Sequence, residues 1–406
     1  MTVSRPKILV VAYGLYFLMG VAKIVIGPAL PSMIENYSIT LAAAGAVFTF
    51  LSLGRFIAVS LSALSLDRFG EGRILHLGVW LLGVGLLGFT FSPNWPLHLL
   101  TMFFIGLGMG FIGPSLNTLV AAASEGEKGK GLNRLHMFFS VGSLFGPALA
   151  GAILTWGSNW RLVFLPAAIA VVLPLLATRK MKGIRSNLDL ESGKRDQGEE
   201  AGSISGTEGR WRKLFTSKYF YLLGAVGFLY IGIGNGIVGW ANKYLGDVFS
   251  LSVFAASSVL MIYNLGMSSG RMGSSFLSER FGYKKTILGC ALGSLVFVSL
   301  AVLSGGSLLS TLGFGLSGLF LAGLFPTAIA YGTDLFPEIA GTASSSLIAT
   351  AFLGGTVVPF AIGAISDRFG LKGGMFTLVS LTVVLLVVAS LLPSDLKNAK
   401  ELSPGD

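Results

Sequence analysis

Charge is scarce in this chain, cysteine nearly absent and histidine rare. Only 12% of the 406 residues are charged, against about 25% in a soluble domain. With 53% apolar residues and a mean hydropathy of +0.76, a soluble core cannot hide the apolar surface, because a large exterior always remains to be covered. The bilayer must act as part of the solvent. The single cysteine, Cys290, lies in an apolar run, which excludes an internal disulfide and suits a buried thiol. Three histidines and one cysteine show no metal-ligand spacing, and no phosphate-binding glycine loop occurs. No cofactor is expected, and direct ATP drive would need a separate subunit.

What is abundant is long apolar runs. A spanning helix needs about 20 such residues, and twelve runs qualify: 8–30, 41–65, 73–92, 96–121, 132–155, 160–178, 218–241, 253–277, 285–304, 308–332, 341–364 and 372–393. Arg5 and Lys7 precede the first, which is too long for a signal-peptide core and reads as a span. Residues 179–217 are polar and mixed in charge, a solvated linker dividing six runs from six. The expected layout is an all-α membrane protein of twelve transmembrane helices in two pseudo-symmetric six-helix bundles. Residues 1–178 form the first bundle, 179–217 a cytoplasmic linker, 218–393 the second bundle and 394–406 a cytoplasmic tail.

The net charge of +10 raises nucleic acid as a partner, but the bases lie between apolar runs, where membrane orientation accounts for them. Of the 29 Lys and Arg residues, only Arg161, Lys243, Arg368 and Lys372 fall in loops on one side. The basic side is cytoplasmic by the positive-inside rule, so both termini are expected inside a cell (inner) membrane, with the chain a monomer.

The two halves also repeat. Under a shift of 212 positions, Arg68-Phe69-Gly70 falls on Arg280-Phe281-Gly282 and Asp67 on Glu279; Gly54, Gly106 and Gly151 meet Gly266, Gly318 and Gly363; Pro114 and Pro147 meet Pro326 and Pro359. Parallel repeats imply a site between the halves near the midplane, opened alternately to either side.

The repeated loops are Asp67-Arg68-Phe69-Gly70-Glu71-Gly72-Arg73 and Glu279-Arg280-Phe281-Gly282-Tyr283-Lys284-Lys285. Each sets an acid and a base at a helix end with a glycine for the turn. They read either as a tight turn with a positive flank or as a conformational latch, and duplication favours the latch. They resemble the signature loop of the major facilitator superfamily, G-x-x-x-D-R-x-G-R-[RK]. In the first copy Ala63 replaces the leading glycine and Glu71 a base. Asn133-Arg134-Leu135-His136, Phe228-Leu229-Tyr230, Gly270-Arg271 and Gly323-Leu324-Phe325-Pro326 are similar to the fucose/glucose-type sugar symporter group. The group's membrane-embedded acids in spans 1, 4 or 7 have no Asp or Glu here; Asn235 stands at the expected place in span 7. Gly142-x-x-x-Gly146-Pro147 also resembles a motif of proton-coupled drug antiporters.

Intramembrane charge is costly and usually functional. Lys23, Arg55, Arg134 and Arg271 lie within runs and read as a cationic cavity or as snorkelling and structural pairs. Asn117, Asn133, Asn235, Asn242 and Asn264 suit a hydroxyl-rich solute or interhelical bonding. Trp240 and Tyr230 offer a stacking platform or an interfacial anchor. His136 is the proton-coupling candidate, on an unperturbed pKa of about 6.5. Tyr331 and Asp334 read as gate or turn residues. The expected substrate-binding set is Lys23, Arg55, Asn117, Asn235, Trp240, Asn264 and Arg271, with Asp67, Arg68, Gly70, Glu279, Arg280 and Gly282 gating. The function expected is secondary active or facilitative transport of a small polar organic solute, carbohydrate-like first, with a proton or sodium as the possible coupling ion. An organic anion held by Lys23 and Arg55, or proton-coupled export of drugs or metabolites, is the alternative. No convergent nucleophile and base point to an enzyme.

Overall fold

The computed structural model describes residues 4–124, 128–157, 159–185 and 214–393. Most of the expected linker, 186–213, and the tail, 394–406, lie outside the described residues. Within them, regular structure is entirely helical.

The first apolar run continues past its expected end at residue 30. Helix α1 (Arg5–Ile24) passes with only a slight break at Val25 into α2 (Ile26–Tyr37). Pro28 has no N–H to give the carbonyl of Ile24, so the helix yields there without stopping. It ends where Ser38 turns left-handed at φ 48° and closes back on Ile34 and Glu35. Then come α3 (Leu41–Phe69), α4 (Glu71–Phe91), α5 (Trp95–Ala123) and α6 (Lys128–Thr155). The sixth run is fragmented into a 3-10 turn (Trp160–Val163), α7 (Leu165–Ala170) and α8 (Val172–Arg179), since Pro174 removes the partner of the Ala170 carbonyl. The second half contains α9 (Lys218–Phe249), α10 (Val253–Phe281), α11 (Tyr283–Leu303), α12 (Ser307–Leu335) and α13 (Ala340–Ser390). The last is two rods meeting at Gly370, which is non-helical at φ 73° and ψ 165°. Among the described residues ten helices are long and apolar enough to cross a membrane, and Leu165–Arg179 is a shorter apolar stretch.

The internal repeat is physical as well as textual. A Cβ on Gly106 would strike the Leu51 carbonyl, and one on Gly318 the Tyr263 carbonyl, which is the same contact moved by 212 positions. Likewise Gly54 abuts Phe103, Gly106 and Leu107, while Gly266 abuts Gly315, Gly318 and Leu319. At these crossings only glycine lets two helix backbones touch. Around them, side chains such as Phe48, Trp240, Tyr244 and Phe314 are fully buried. Leu64, Trp80, Leu173, Met272 and Val387 stand exposed, as a lipid-facing surface requires.

Candidate functional site

One end of the molecule is shut. At the start of α3, the N–H groups of Leu41 and Ala42 donate to the two carboxylate oxygens of Asp367 at 2.8 and 2.9 Å. A helix N-terminus has unpaired donors and partial positive charge, so a carboxylate caps it well. Further along the same seam, the Thr49 hydroxyl donates to the Thr356 carbonyl at 2.6 Å. Trp240 Nε1 donates to the Pro359 carbonyl at 3.0 Å, and Asn235 Nδ2 to Ser52 Oγ at 3.3 Å. Gly45 lies against Pro359 and Gly363 against Leu41. On the opposite seam Gly151 abuts Phe254 and Ser257. Every one of these contacts sits in the portion of the helices away from the repeated acid-base loops.

The other end is open. Asp67, Arg68, Glu279 and Arg280 are exposed, and among the described residues neither Asp67 nor Glu279 has an ion-pair partner. Arg68 and Arg280 instead lie over the rings of Phe69 and Phe281. Gly70 and Gly282 make the two turns with φ of 82° and 81°, a region that L side chains avoid. His136 on α6 and Arg271 on α10 are both exposed and within electrostatic range of each other.

Between the shut and open ends lie two half-buried charges, Lys23 and Arg55. Lys23 is within electrostatic range of Arg55 and Arg271, while Arg55 is near Tyr16 and Tyr230. Tyr263 is near Tyr230 and Arg271. No carboxylate belongs to this set. The Arg55 guanidinium lies 4.9 Å from the Phe352 ring centroid, and its Nε is buried without any hydrogen-bond partner. Among the described residues neither Lys23 nor Arg55 has an ion pair. Removing charge from water without a partner is costly, so two half-buried cations without an acid give this region a net positive character.

The neutral candidates are already engaged. Asn117 Oδ1 accepts from the Tyr16 hydroxyl at 3.0 Å, and Asn264 Nδ2 donates to the Leu260 carbonyl of its own helix at 2.7 Å. Asn242 Nδ2 donates to Ser257 Oγ at 2.9 Å, and Asn133 is exposed. Trp240 is 0% exposed, wedged in the seam with Asn235 rather than facing the open space. Tyr230 stacks on Phe325 with centroids 5.4 Å apart, and the His136 ring meets the edge of Tyr16 at 5.4 Å. Asp334 accepts from the Tyr283 hydroxyl at 2.7 Å, joining α12 to α11 at the open end, and Tyr331 donates to the Pro393 carbonyl. The span-five glycines are packing surfaces: Gly142 lies against Phe17 and Gly146 against Val21 and Ile24 of α1.

Sequence reasoning missed Asp367, Ser52, Tyr16 and Tyr263. For Asp367 a signal existed: Asp367-Arg368-Phe369-Gly370 repeats Asp67-Arg68-Phe69-Gly70 letter for letter. The copy lies off the 212-residue register and at the opposite end of the molecule, where it closes rather than flanks.

Known proteins agree with this architecture. A glucose/mannose transporter, GlcP, of Bacillus subtilis is 23% identical over 380 residues, covering 92% of this chain and 92% of its own, in line with the likeness to sugar carriers. A cis,cis-muconate transport protein of Acinetobacter baylyi is 23% identical over 349 residues, covering 84% and 82%. A bacterial homologue of the human lysosomal transporter Spinster, in an inward-facing and unoccupied conformation, superposes with a TM-score of 0.77 at 16% identity, covering 99% of each chain. The family model described as Major Facilitator Superfamily matches residues 12–315 and again 232–406, so the chain belongs to that superfamily and is a multi-pass membrane transporter, not an enzyme.

Proposed function

We propose that this protein carries a small organic anion across the cell membrane by alternating access. The observation that carries the reading is Lys23 within electrostatic range of both Arg55 and Arg271, with no acid joining them among the described residues and with Arg55 Nε buried and unpaired. The asparagines that would hold a neutral polyol are bonded within the protein, whereas the cations are not. The muconate transport protein among the relatives supports an organic acid as cargo. A carbohydrate-like solute is the second reading, favoured by the glucose/mannose transporter and by the Tyr230–Phe325 stack.

The same proposal includes twelve spans in two bundles, residues 1–178 and 218–393. Dividing α13 at Gly370 and counting Leu165–Arg179 raises the ten long helices to that number. With the basic end cytoplasmic, the described state is open inward. Asp67-Arg68 and Glu279-Arg280 then engage when that end closes, and the Asp367 cap releases. His136, beside Arg271, is the residue to carry a coupling proton; no intramembrane carboxylate competes for the role among the described residues of α1, α5 and α9.

The test is exchange in proteoliposomes against a panel of mono- and dicarboxylates, sugar acids and neutral sugars. An anion should exchange, and Lys23→Gln or Arg55→Gln should each abolish it. Exchange of a neutral sugar that survives either substitution would overturn the anion reading.

A further inference from the structure

On α4, Arg73, His76, Leu77 and Trp80 follow a helical spacing and share one face. Val84, Leu87 and Phe91 extend that face along the helix, and all three are exposed. The upper part lines a cleft of about 530 Å³ bounded by Arg73, His76, Leu77, Trp80 and Lys182. The cleft has a built frame. After α8 the chain folds back across the start of α4, where the Gly72 N–H donates to the Ile184 carbonyl at 3.1 Å. A Cβ at Gly72 would strike the Met181 carbonyl. Arg185 donates to the Arg68 carbonyl at 2.8 Å, and His76 Nδ1 lies 3.1 Å from the buried Thr178 hydroxyl. These contacts hold Lys182 beside Arg73. Among the described residues no carboxylate lines the cleft; the nearby Glu71 is 4% exposed and already engaged.

We propose that this cleft seats the headgroup phosphate of an anionic phospholipid, with its acyl chains lying along the exposed apolar faces of α4 and α8. Arg73 and Lys182 supply the positive charge, and Trp80 marks the depth at which headgroup gives way to hydrocarbon, the usual place for an amphipathic ring. Basic pockets between membrane helices bind headgroups in this manner. Lipid chains need the apolar track below the cleft; inorganic phosphate does not, and this favours lipid as the occupant. Only the leaflet, cytoplasmic, rests on the orientation proposed above.

Native mass spectrometry of the full chain in detergent tests this, with phosphatidylglycerol, phosphatidylethanolamine and inorganic phosphate as probes. Each basic residue beside an anionic surface contributes about fivefold, so Arg73→Gln with Lys182→Gln should lower phosphatidylglycerol retention about 25-fold. Lys284→Gln with Lys285→Gln, neutralising the equivalent place in the second half, should leave it unchanged. Brominated-chain phosphatidylglycerol should quench the part of the tryptophan emission that Trp80→Phe removes, a readout needing no charge variant to fold. Equal retention of the two lipids, unchanged retention in the double variant, or absence of Trp80 quenching would overturn the proposal. So would displacement of lipid by millimolar phosphate, which would assign the cleft to a free anion. Lipid mass is read without any transport, so loss of the substrate reading leaves this result standing, and the reverse.

Discussion

Replacing Asp367 with Asn should loosen the shut end of the molecule. The carboxylate accepts two backbone N–H bonds, at 2.8 and 2.9 Å, from the first turn of a 29-residue helix. An amide of the same shape keeps one acceptor oxygen but loses the charge that the helix end attracts. Charge at a helix N-terminus contributes about 0.3–1 kcal/mol when exposed, and each charge-assisted bond more where water is excluded. Asp367 is exposed, so solvent screening limits the net loss to about 1 kcal/mol. That is roughly a fivefold shift in the equilibrium between the shut and open forms of this end. Spin labels at Glu35→Cys and Lys372→Cys, with Cys290→Ser, report the separation across this end by double electron–electron resonance. The Asp367→Asn protein should gain a longer-distance population about fivefold over its parent. Identical distance distributions at unchanged melting temperature would refute the capping argument, because they would mean that the seam closes without that charge.

Three further outcomes follow from the same geometry. Gly106→Val and Gly318→Val force a side chain into the facing carbonyls of Leu51 and Tyr263, and each should destabilise the protein by about 1–3 kcal/mol or more, seen as a lower melting temperature in detergent. Asn235→Ala and Ser52→Ala should each cost about 1 kcal/mol, while the double variant should cost little more than either, as a double-mutant cycle on stability would read. Asp67→Asn and Glu279→Gln touch carboxylates without ion-pair partners among the described residues, so they should leave the distances at the basic end of this state unchanged. They should also slow exchange in proteoliposomes by weakening the opposite state.

The sequence carries the scaffold well, because apolar run length and the 212-residue shift are set by the bilayer and by duplication, both of which leave local marks. It misplaces ends where one proline is absorbed, as at Pro28, since the loss of a single hydrogen bond does not stop a helix that buried packing supports. Lys23 and Arg55 are readable because the acids that would neutralise them are missing from spans 1, 4 and 7 altogether. The partners of the asparagines are not readable: Asn117 meets Tyr16 and Asn235 meets Ser52 across more than 100 residues of chain. The same holds for Trp240, whose burial in the seam depends on how two halves meet rather than on its own neighbours.

The duplication has one more consequence. Under the shift, Lys23 corresponds to Asn235, Arg55 to Met267, Arg271 to Val59 and Ser52 to Asn264. The positions of the Asn235–Ser52 bond therefore correspond to Lys23 and Asn264, an ammonium where its counterpart has an amide. Helix geometry was copied, but charge was not: two of the three cations stand in the first half. For the anion proposed above, this asymmetry puts the stronger attraction on the side of α1 and α3, off the pseudo-dyad. Under that proposal two like parts take unlike roles, the first bundle as holder and the second as shutter.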